Sequence, residues 1–203
     1  KENWRWWRER IKRIMRLFDM VRIDHFRGFH SAWAIPFKNK TAKKGQWLEG
    51  PKDEILKVLI DEAGGADKII AEDLGIIPQE VVELRRRNNL KGIRVLQFAF
   101  DDKNPDNPHK PENIEADTVV YTGTHDNDTT KGWWDKKQRS QVKSSMRENE
   151  TICQTMIRIA RESKAEIAIF PLQDILELGS ESRMNTPGTT GKNWNWKFSW
   201  DDI

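Results

Sequence analysis

Three acidic residues, Asp24, Glu72 and Asp126, each follow a short apolar, β-branched run: Met20-Val21-Arg22-Ile23-Asp24, Ile69-Ile70-Ala71-Glu72 and Val119-Val120-Tyr121-Thr122-Gly123-Thr124-His125-Asp126. Runs of this kind, separated by helical segments, are the pattern of a parallel sheet, and acids at the carboxyl ends of parallel strands converge where barrel enzymes do their chemistry. Three carboxyl groups suffice for glycosyl transfer, which needs a nucleophile, a proton donor and a stabiliser of positive charge. That chemistry requires the three side chains to face one pocket at the same rim of the sheet.

Alternation along a strand points Arg22 and Asp24 to the same side, with Ile23 opposite. A guanidinium two residues away would hold the carboxylate ionised and oriented, as attack on an anomeric carbon demands. The same pair would equally serve as a structural ion pair at a strand end. Glu72 is a candidate proton donor if partial burial and a neighbouring carboxylate raise its pKa; capping or surface duty is the alternative. Asp73 is expected to bind backbone amides of the turn toward Gly75. In the polar cluster Thr122 to Asp128, Asp126 is a candidate brace for an oxocarbenium ion, or for ring hydroxyls, and His125 a hydrogen-bond donor to the sugar. An Asx-turn loop accounts for the same residue types.

Other chemistries lack their spacing. His25, His125, Asp24, Asp126 and Asp128 are all metal-ligand types, yet no His-x-x-x-His or paired-Cys pattern joins them, so a metal-dependent hydrolase is the weaker reading and no metal is expected. There is no Gly-x-Ser-x-Gly elbow and no Gly-x-Gly-x-x-Gly, and Gly191-Lys192 lacks the rest of a phosphate-binding loop, which disfavours hydride and nucleotide chemistry. The 35 Lys and Arg against 32 Asp and Glu are interspersed, leaving +3 and no basic footprint for nucleic acid. No apolar run approaches the about 20 residues of a membrane span. The single cysteine, Cys153, excludes an internal disulfide and fits a reducing compartment, hence the cytoplasm, or a plastid if a leader has been removed. Nothing beside it would lower its pKa as a catalytic thiol requires. Ten tryptophans stand against one tyrosine. Trp6, Trp7, Trp133, Trp134, Trp194, Trp196 and Trp200 are packing anchors or platforms for sugar rings, and core packing is expected for most.

The elements that must position the acids follow from periodicity. Apolar residues at Trp4, Trp7, Ile11, Ile14, Met15 and Phe18 predict an amphipathic helix. A strand at about 20–23 follows, then a punctuated loop from His25 to Pro51, a helix opened by Pro51 and ended by Gly64-Gly65, and a strand at about 68–71. A helix over Gln79 to Arg87 after Pro78, a strand over Ile93 to Phe100, a loop from Asp101 to Pro111 and a strand over Thr118 to Thr122 come next. A long helix over about 140–163 and a strand over Ile167 to Phe170 complete the alternation. His30 and His109 fall in loops and are expected to be solvated. Five strands alternating with helices argue for an α/β architecture with parallel strands and right-handed crossovers. Five cannot close a barrel that typically takes about 250 residues. The chain is expected to be either an open sheet or the later part of a parallel (β/α) TIM-barrel type fold, and its helical opening and clipped end favour the second: about five βα units, residues 1–203 forming a single partial catalytic barrel domain that lacks its upstream strands.

Taken together, Arg22 to Phe29, Ala71 to Gly75, Tyr121 to Thr129, Pro171 to Asp174 and Arg183 to Gly188 closely resemble the amylomaltases or disproportionating enzymes, the 4-α-glucanotransferases of glycoside hydrolase family 77. The blocks occur in family order across essentially the whole chain and correspond to the later part of the family's (β/α)8 barrel. The resemblance implies that Asp24 is the nucleophile, Glu72 the general acid/base and Asp126 the third carboxylate, and that Arg22, His125, Asn185 and Pro187 contact the substrate. It implies transfer of α-1,4-glucan segments between malto-oligosaccharides by a retaining double displacement, without cofactor or metal. One departure stands out: the family usually shows Leu-Pro-His-Asn-Tyr where this chain has Lys110-Pro111-Glu112-Asn113-Ile114, which bears on acceptor preference. With upstream strands missing, the chain is expected to be nearly inactive unless the amino-terminal part of the enzyme is supplied as its partner. A non-catalytic glucan-binding or structural piece is the alternative.

Overall fold

The computed structural model of the chain describes residues 3–100, 104–136 and 140–202. The amphipathic stripe at the start folds as α1 (Arg5–Met15), which buries Ile11 and packs Trp7, Ile14 and Met15 on the core. Lys12 and Arg13 in its last turn complement the negative end of the helix. β1 (Val21–Ile23) leads into a 3-10 turn, Phe26–Phe29, and an antiparallel hairpin of β2 (Ser31–Ala34) and β3 (Gln46–Glu49). α2 (Lys52–Ala63) begins after Pro51 and stops at Gly64, whose φ of 79° suits glycine. β4 (Ile69–Ala71) then pairs parallel with β1, in the register Val21↔Ile69, Arg22↔Ile70, Ile23↔Ala71, and α3 (Gln79–Arg87) follows Pro78.

The chain divides into two compact units, Lys1–Ile93 and Arg94–Ile203, the division falling within β5 (Gly92–Val95). The core of the first unit gathers Ile23, Phe26, Ile55, Leu56, Leu59 and Leu84 between β1, β4 and the helices. Each such side chain contributes about 1.5–3 kcal/mol on burial. Inside this apolar core lies one charged pair, Asp73 with Arg85 at 3.2 Å, both side chains almost fully buried. Asp73 also accepts from the Ile93 amide at 2.8 Å, and Arg85 donates to the Leu90 carbonyl. A Cβ at Gly92 would stand 2.7 Å from the Asp73 carboxylate, so the strand can pass the pair only with glycine there.

In the second unit α4 (Leu96–Ala99) precedes β6 (Thr118–Tyr121), α5 (Thr130–Lys136), α6 (Ser140–Lys143), α7 (Ile152–Glu162), β7 (Ile167–Ile169) and α8 (Leu172–Ile175). The sheet order is β5-β6-β7, with β6 and β7 parallel. Leu96, Val120, Trp133, Met156 and Ile159 make its core. Thr151 and Gln154 form a reciprocal capping box that starts α7. Cys153 is buried in this core, which pushes its thiol up to about 12.

The fold is therefore α/β with parallel strands, as the alternation predicts. Four local expectations are corrected. The segment from His25 to Pro51 holds the β2–β3 hairpin. The strand expected over Ile93 to Phe100 ends at Val95, where the chain turns into α4 and buries Leu96 and Ala99, a helical spacing. The long helix over about 140–163 is two helices separated by a turn in which Asn149 takes a left-handed φ of 64°. His109 is half-buried rather than free in solvent: its Nδ1 accepts from the Val95 amide at 3.1 Å, and its ring packs edge-on to Phe98. Of the loop expected from Asp101 to Pro111, residues 101–103 lie outside the described residues. Among the described residues no helix is long and apolar enough to cross a membrane.

Two predictions test the buried pair and two surface carboxylates of the fold. Asp73→Ala leaves a buried guanidinium without its carboxylate and lowers stability by about 3–5 kcal/mol in urea unfolding. Hydrogen bonds from Arg87 and Asn88 lower the Asp53 carboxyl to about 2, and one from Arg158 does the same for Glu150. A lowered folded pKa stabilises only while the group is charged. Both contributions are thus complete above the ordinary values of 3.8 and 4.5 and fade as pH falls toward 2. Asp53→Asn and Glu150→Gln each flatten the loss of stability measured across that acid range.

Candidate active site

Asp24 and Glu72 each follow the last rung of the β1–β4 pair, since Ile23 and Ala71 are register partners. Neighbouring strands run about 4.8 Å apart, so the two acids leave the sheet side by side at its carboxyl edge. The ladder continues through them: the Glu72 amide donates to the Ile23 carbonyl at 2.9 Å, and the Phe26 amide to the Glu72 carbonyl at 3.1 Å. Between these rungs His25 adopts a left-handed conformation, φ 49° and ψ 52°, uncommon for a residue with a Cβ. That turn aims the His25 amide at Glu72 Oε2, 2.7 Å away, while the Leu74 amide donates to Glu72 Oε1 at 2.8 Å. Two backbone donors, one from each acid's own loop, thus fix the Glu72 carboxylate.

Arg22 donates to Asp24 Oδ1 at 2.8 Å, as alternation requires. The Asp24 side chain is 80% exposed. An ion pair so open to solvent adds at most about 1 kcal/mol to stability, and its effect is to orient the carboxylate. Arg22 Nε is buried with no hydrogen-bond partner among the described residues, leaving a donor beside the acid. The Leu74 amide expected for Asp73 goes to Glu72, and Asp73 faces inward to Arg85. Adjacent residues of one extended segment point to opposite sides, and here one serves the rim and the other the core.

In the second unit Asp126 lies five residues beyond the end of β6, exposed at the tip of its loop. Its Oδ1 accepts from Asn185 Nδ2 at 2.5 Å, and its backbone carbonyl accepts from Arg183 at 2.6 Å. His125 Nε2 stands 3.5 Å from Oδ2, and its ring lies 5.1 Å from that of Trp194, which is 60% exposed. Asp126 and Arg183 line a cleft of about 270 Å³. The loop is held by its neighbours, though not by the two-residue bond of an Asx turn: Asn127 accepts from the Thr124 amide and hydroxyl, and Asp128 from the Thr129 amide and Ser180 hydroxyl. Those bonds leave the Asp126 carboxylate facing outward. Pro187 is exposed in the 183–194 loop, which Asn193 ties together through Thr186 and Thr189, and Pro187 touches none of the acids through a hydrogen bond.

Two residues of this cluster were not nominated from the sequence. Arg183 shares its block with Asn185, and its planar donors explain why the loop closes on Asp126. Asp174 lies five residues beyond β7, as Asp126 does beyond β6, but it is 1% exposed. It accepts from the Thr122 hydroxyl, the Thr130 amide and the Thr130 hydroxyl at 2.6–2.7 Å. Burial raises its pKa even against those three bonds. Asp174 braces both ends of the loop that carries His125 and Asp126. Among the tryptophans expected in the core, only Trp133 is buried; Trp7 and Trp134 pack partly, Trp196 is half-buried, and Trp6, Trp194 and Trp200 are exposed. Among the described residues no three His, Cys, Asp or Glu side chains converge on a position that would hold a metal.

Fold and site together define an α/β protein of parallel strands that carries carboxylates beyond their carboxyl ends. Residues 1–201 match the model of glycoside hydrolase family 77, 4-alpha-glucanotransferase, and the chain belongs to that family. It is 48% identical to the chloroplastic/amyloplastic 4-alpha-glucanotransferase of Solanum tuberosum, over 98% of this chain and 35% of that protein. It is 46% identical to the 4-alpha-glucanotransferase of Synechocystis sp., over 98% and 40%. Among solved structures, amylomaltase from Streptococcus agalactiae in complex with acarbose superimposes with a TM-score of 0.88 at 32% identity, over 97% of this chain and 41% of that one. The chain thus spans 35% to 41% of the length of these relatives.

The brace at Asp174 makes a prediction. Asp174→Ala strands three buried donors and lowers stability by more than about 2 kcal/mol. In nuclear magnetic resonance spectra it broadens or shifts the His125 ring signals, while signals from the first unit stay in place.

Proposed function

We propose that the chain is the later part of a 4-α-glucanotransferase barrel, about five of its βα units in a single partial domain, and that it transfers α-1,4-glucan segments between malto-oligosaccharides once the upstream strands are present. The observation that carries this reading is the carboxyl end of the β1–β4 pair, where register places Asp24 and Glu72 side by side and backbone amides hold the Glu72 carboxylate. Family membership and the acarbose complex of a solved relative support it.

In this reading Asp24, oriented by Arg22, attacks the anomeric carbon as the glycosidic C–O bond breaks. Glu72 gives its proton to the departing 4-oxygen. Each Glu72 oxygen can accept an amide and still keep a lone pair, so the two backbone bonds leave room for that proton. Glu72 then removes the proton from the 4-hydroxyl of a second glucan, which displaces Asp24 and restores the original anomeric configuration. The Asp24 and Glu72 carboxyls approach to about 5–5.5 Å in the working enzyme, the separation that suits a covalent intermediate. Asp126, with His125 and Asn185, holds sugar hydroxyls and favours developing positive charge, and Arg22 and Pro187 complete the contacts. No metal or cofactor enters any step. The reducing compartment expected from a lone cysteine fits cytoplasm or plastid.

The test is disproportionation of maltotriose. Residues 1–203 alone give no measurable glucose or maltopentaose, whereas a chimera in which they replace the matching segment of a relative gives both. Glu72→Gln lowers the chimera's rate by about 10²–10⁴-fold, and Asp24→Asn abolishes it. Turnover by residues 1–203 alone would overturn the partial-barrel reading. A folded, glucan-binding chimera without turnover would favour the non-catalytic alternative.

A further inference from the structure

Arg27 touches neither acid, yet it joins the two loops that carry them. It sits in the 3-10 turn directly after Asp24 and His25, and its guanidinium donates to the Ile76 carbonyl at 2.9 Å. Ile76 is the crest of the loop that follows Glu72. Ile76 is 92% exposed and the preceding Gly75 has a φ of 88°, so the crest itself is not packed, although Ile77 after it rests on the core. The other face of Arg27 lies 4.2 Å above the ring of Trp47 in β3, and Trp47 in turn packs against Trp33 of β2 at 5.3 Å. One guanidinium therefore ties three segments together: the turn after Asp24, the loop after Glu72 and the β2–β3 hairpin.

No carboxylate among the described residues pairs with Arg27, and its Nε is buried without a hydrogen-bond partner. What the residue gains is the position of the 74–76 segment. The Leu74 amide, two residues before the Arg27 contact, is one of the two donors that set the Glu72 carboxylate, and the His25 amide, two residues before Arg27 itself, is the other. Both donors thus belong to segments that Arg27 clamps.

We infer that Arg27 is a positioning residue: through the Ile76 carbonyl and the Trp47 ring it fixes the Leu74 and His25 amides, and through them the Glu72 carboxylate, relative to Asp24. The inference rests on the proposed role of Glu72, but its main test does not require turnover. Amide exchange of the two donors reports directly on whether the carboxylate is held.

Residue-resolved hydrogen exchange on residues 1–203 provides that test. Arg27→Met speeds exchange at Leu74 and His25 by about tenfold, the scale of one lost hydrogen bond, and leaves the core amides Ala71 and Leu59 unchanged. Arg27→Lys, which can still reach the carbonyl and the ring, restores most of the protection. Trp47→Leu, which removes the ring alone, gives an intermediate effect at Leu74. Equal acceleration at Leu74 and Ala71 would show a merely structural role and overturn the inference, as would unchanged exchange at Leu74 in both the Met and Leu variants. In the active chimera, Arg27→Met lowers kcat about tenfold with KM held and shifts the limb of the pH profile that reports Glu72. If Asp24→Asn leaves that chimera active, the catalytic reading fails, whatever the exchange data show.

Discussion

The arrangement depends on a single rung, the pairing of Ile23 with Ala71 in a parallel register. A one-residue slip would exchange the faces of every side chain on one strand and send Asp24 or Glu72 into the core. The register is held because β4 is buried throughout and β1 on alternate residues, so neither can shift without exposing Ile69, Ile70 or Ile23. Once the rung is set, the chain beyond it has little choice. The Glu72 backbone extends the ladder in both directions, and the left-handed turn at His25 brings an amide to the Glu72 carboxylate.

Beneath this rim, the sequence Glu72-Asp73 divides two duties between neighbours. Glu72 faces the edge and takes amides from the two loops, while Asp73 faces inward and neutralises Arg85 within an apolar core. Paired buried charges contribute little net stability but are costly to separate, so this pair acts as a fastener that admits one arrangement of α3, β4 and Gly92. Asp174 does comparable work in the second unit, where three donors converge on one buried carboxylate and hold the loop before α5. In each unit a buried acid is bound within the fold close to an acid that follows a strand: Asp73 next to Glu72, and Asp174 under the loop that carries Asp126.

That division explains what could be read from the residues alone. β1, β4, β6 and β7 were legible because they are short apolar runs bounded by turn residues, and α1 to α3 because stripe, Pro and Gly mark them. The β2–β3 hairpin was not: its strands are half-exposed or exposed, and the sequence between them holds no two-residue turn signal. The capping pair Thr151 and Gln154 did mark the true start of α7, but the apolar periodicity on either side of Asn149 masked it. For the site, an acid after a strand is a real signal with a known failure. Asp24, Glu72 and Asp126 share it with Asp174, and only burial, 1% for Asp174 against an 80% exposed Asp24 side chain, separates a scaffold residue from a candidate for chemistry. The tryptophans misled for the complementary reason, since residue type alone cannot say whether an indole is covered.

The central claim is that Asp24, rather than another acid of this rim, becomes covalently bonded to the sugar. It is tested most directly by trapping the intermediate with a fluorine-substituted glucosyl fluoride, in the chimera that joins this chain to the remainder of a relative, and by locating the label with peptide mass spectrometry. The account predicts one glucosyl ester on the peptide containing Asp24, carried on that residue and released when maltose is added as acceptor. A label on Glu72 or Asp126, or continued turnover of the donor with no labelled peptide, would contradict it.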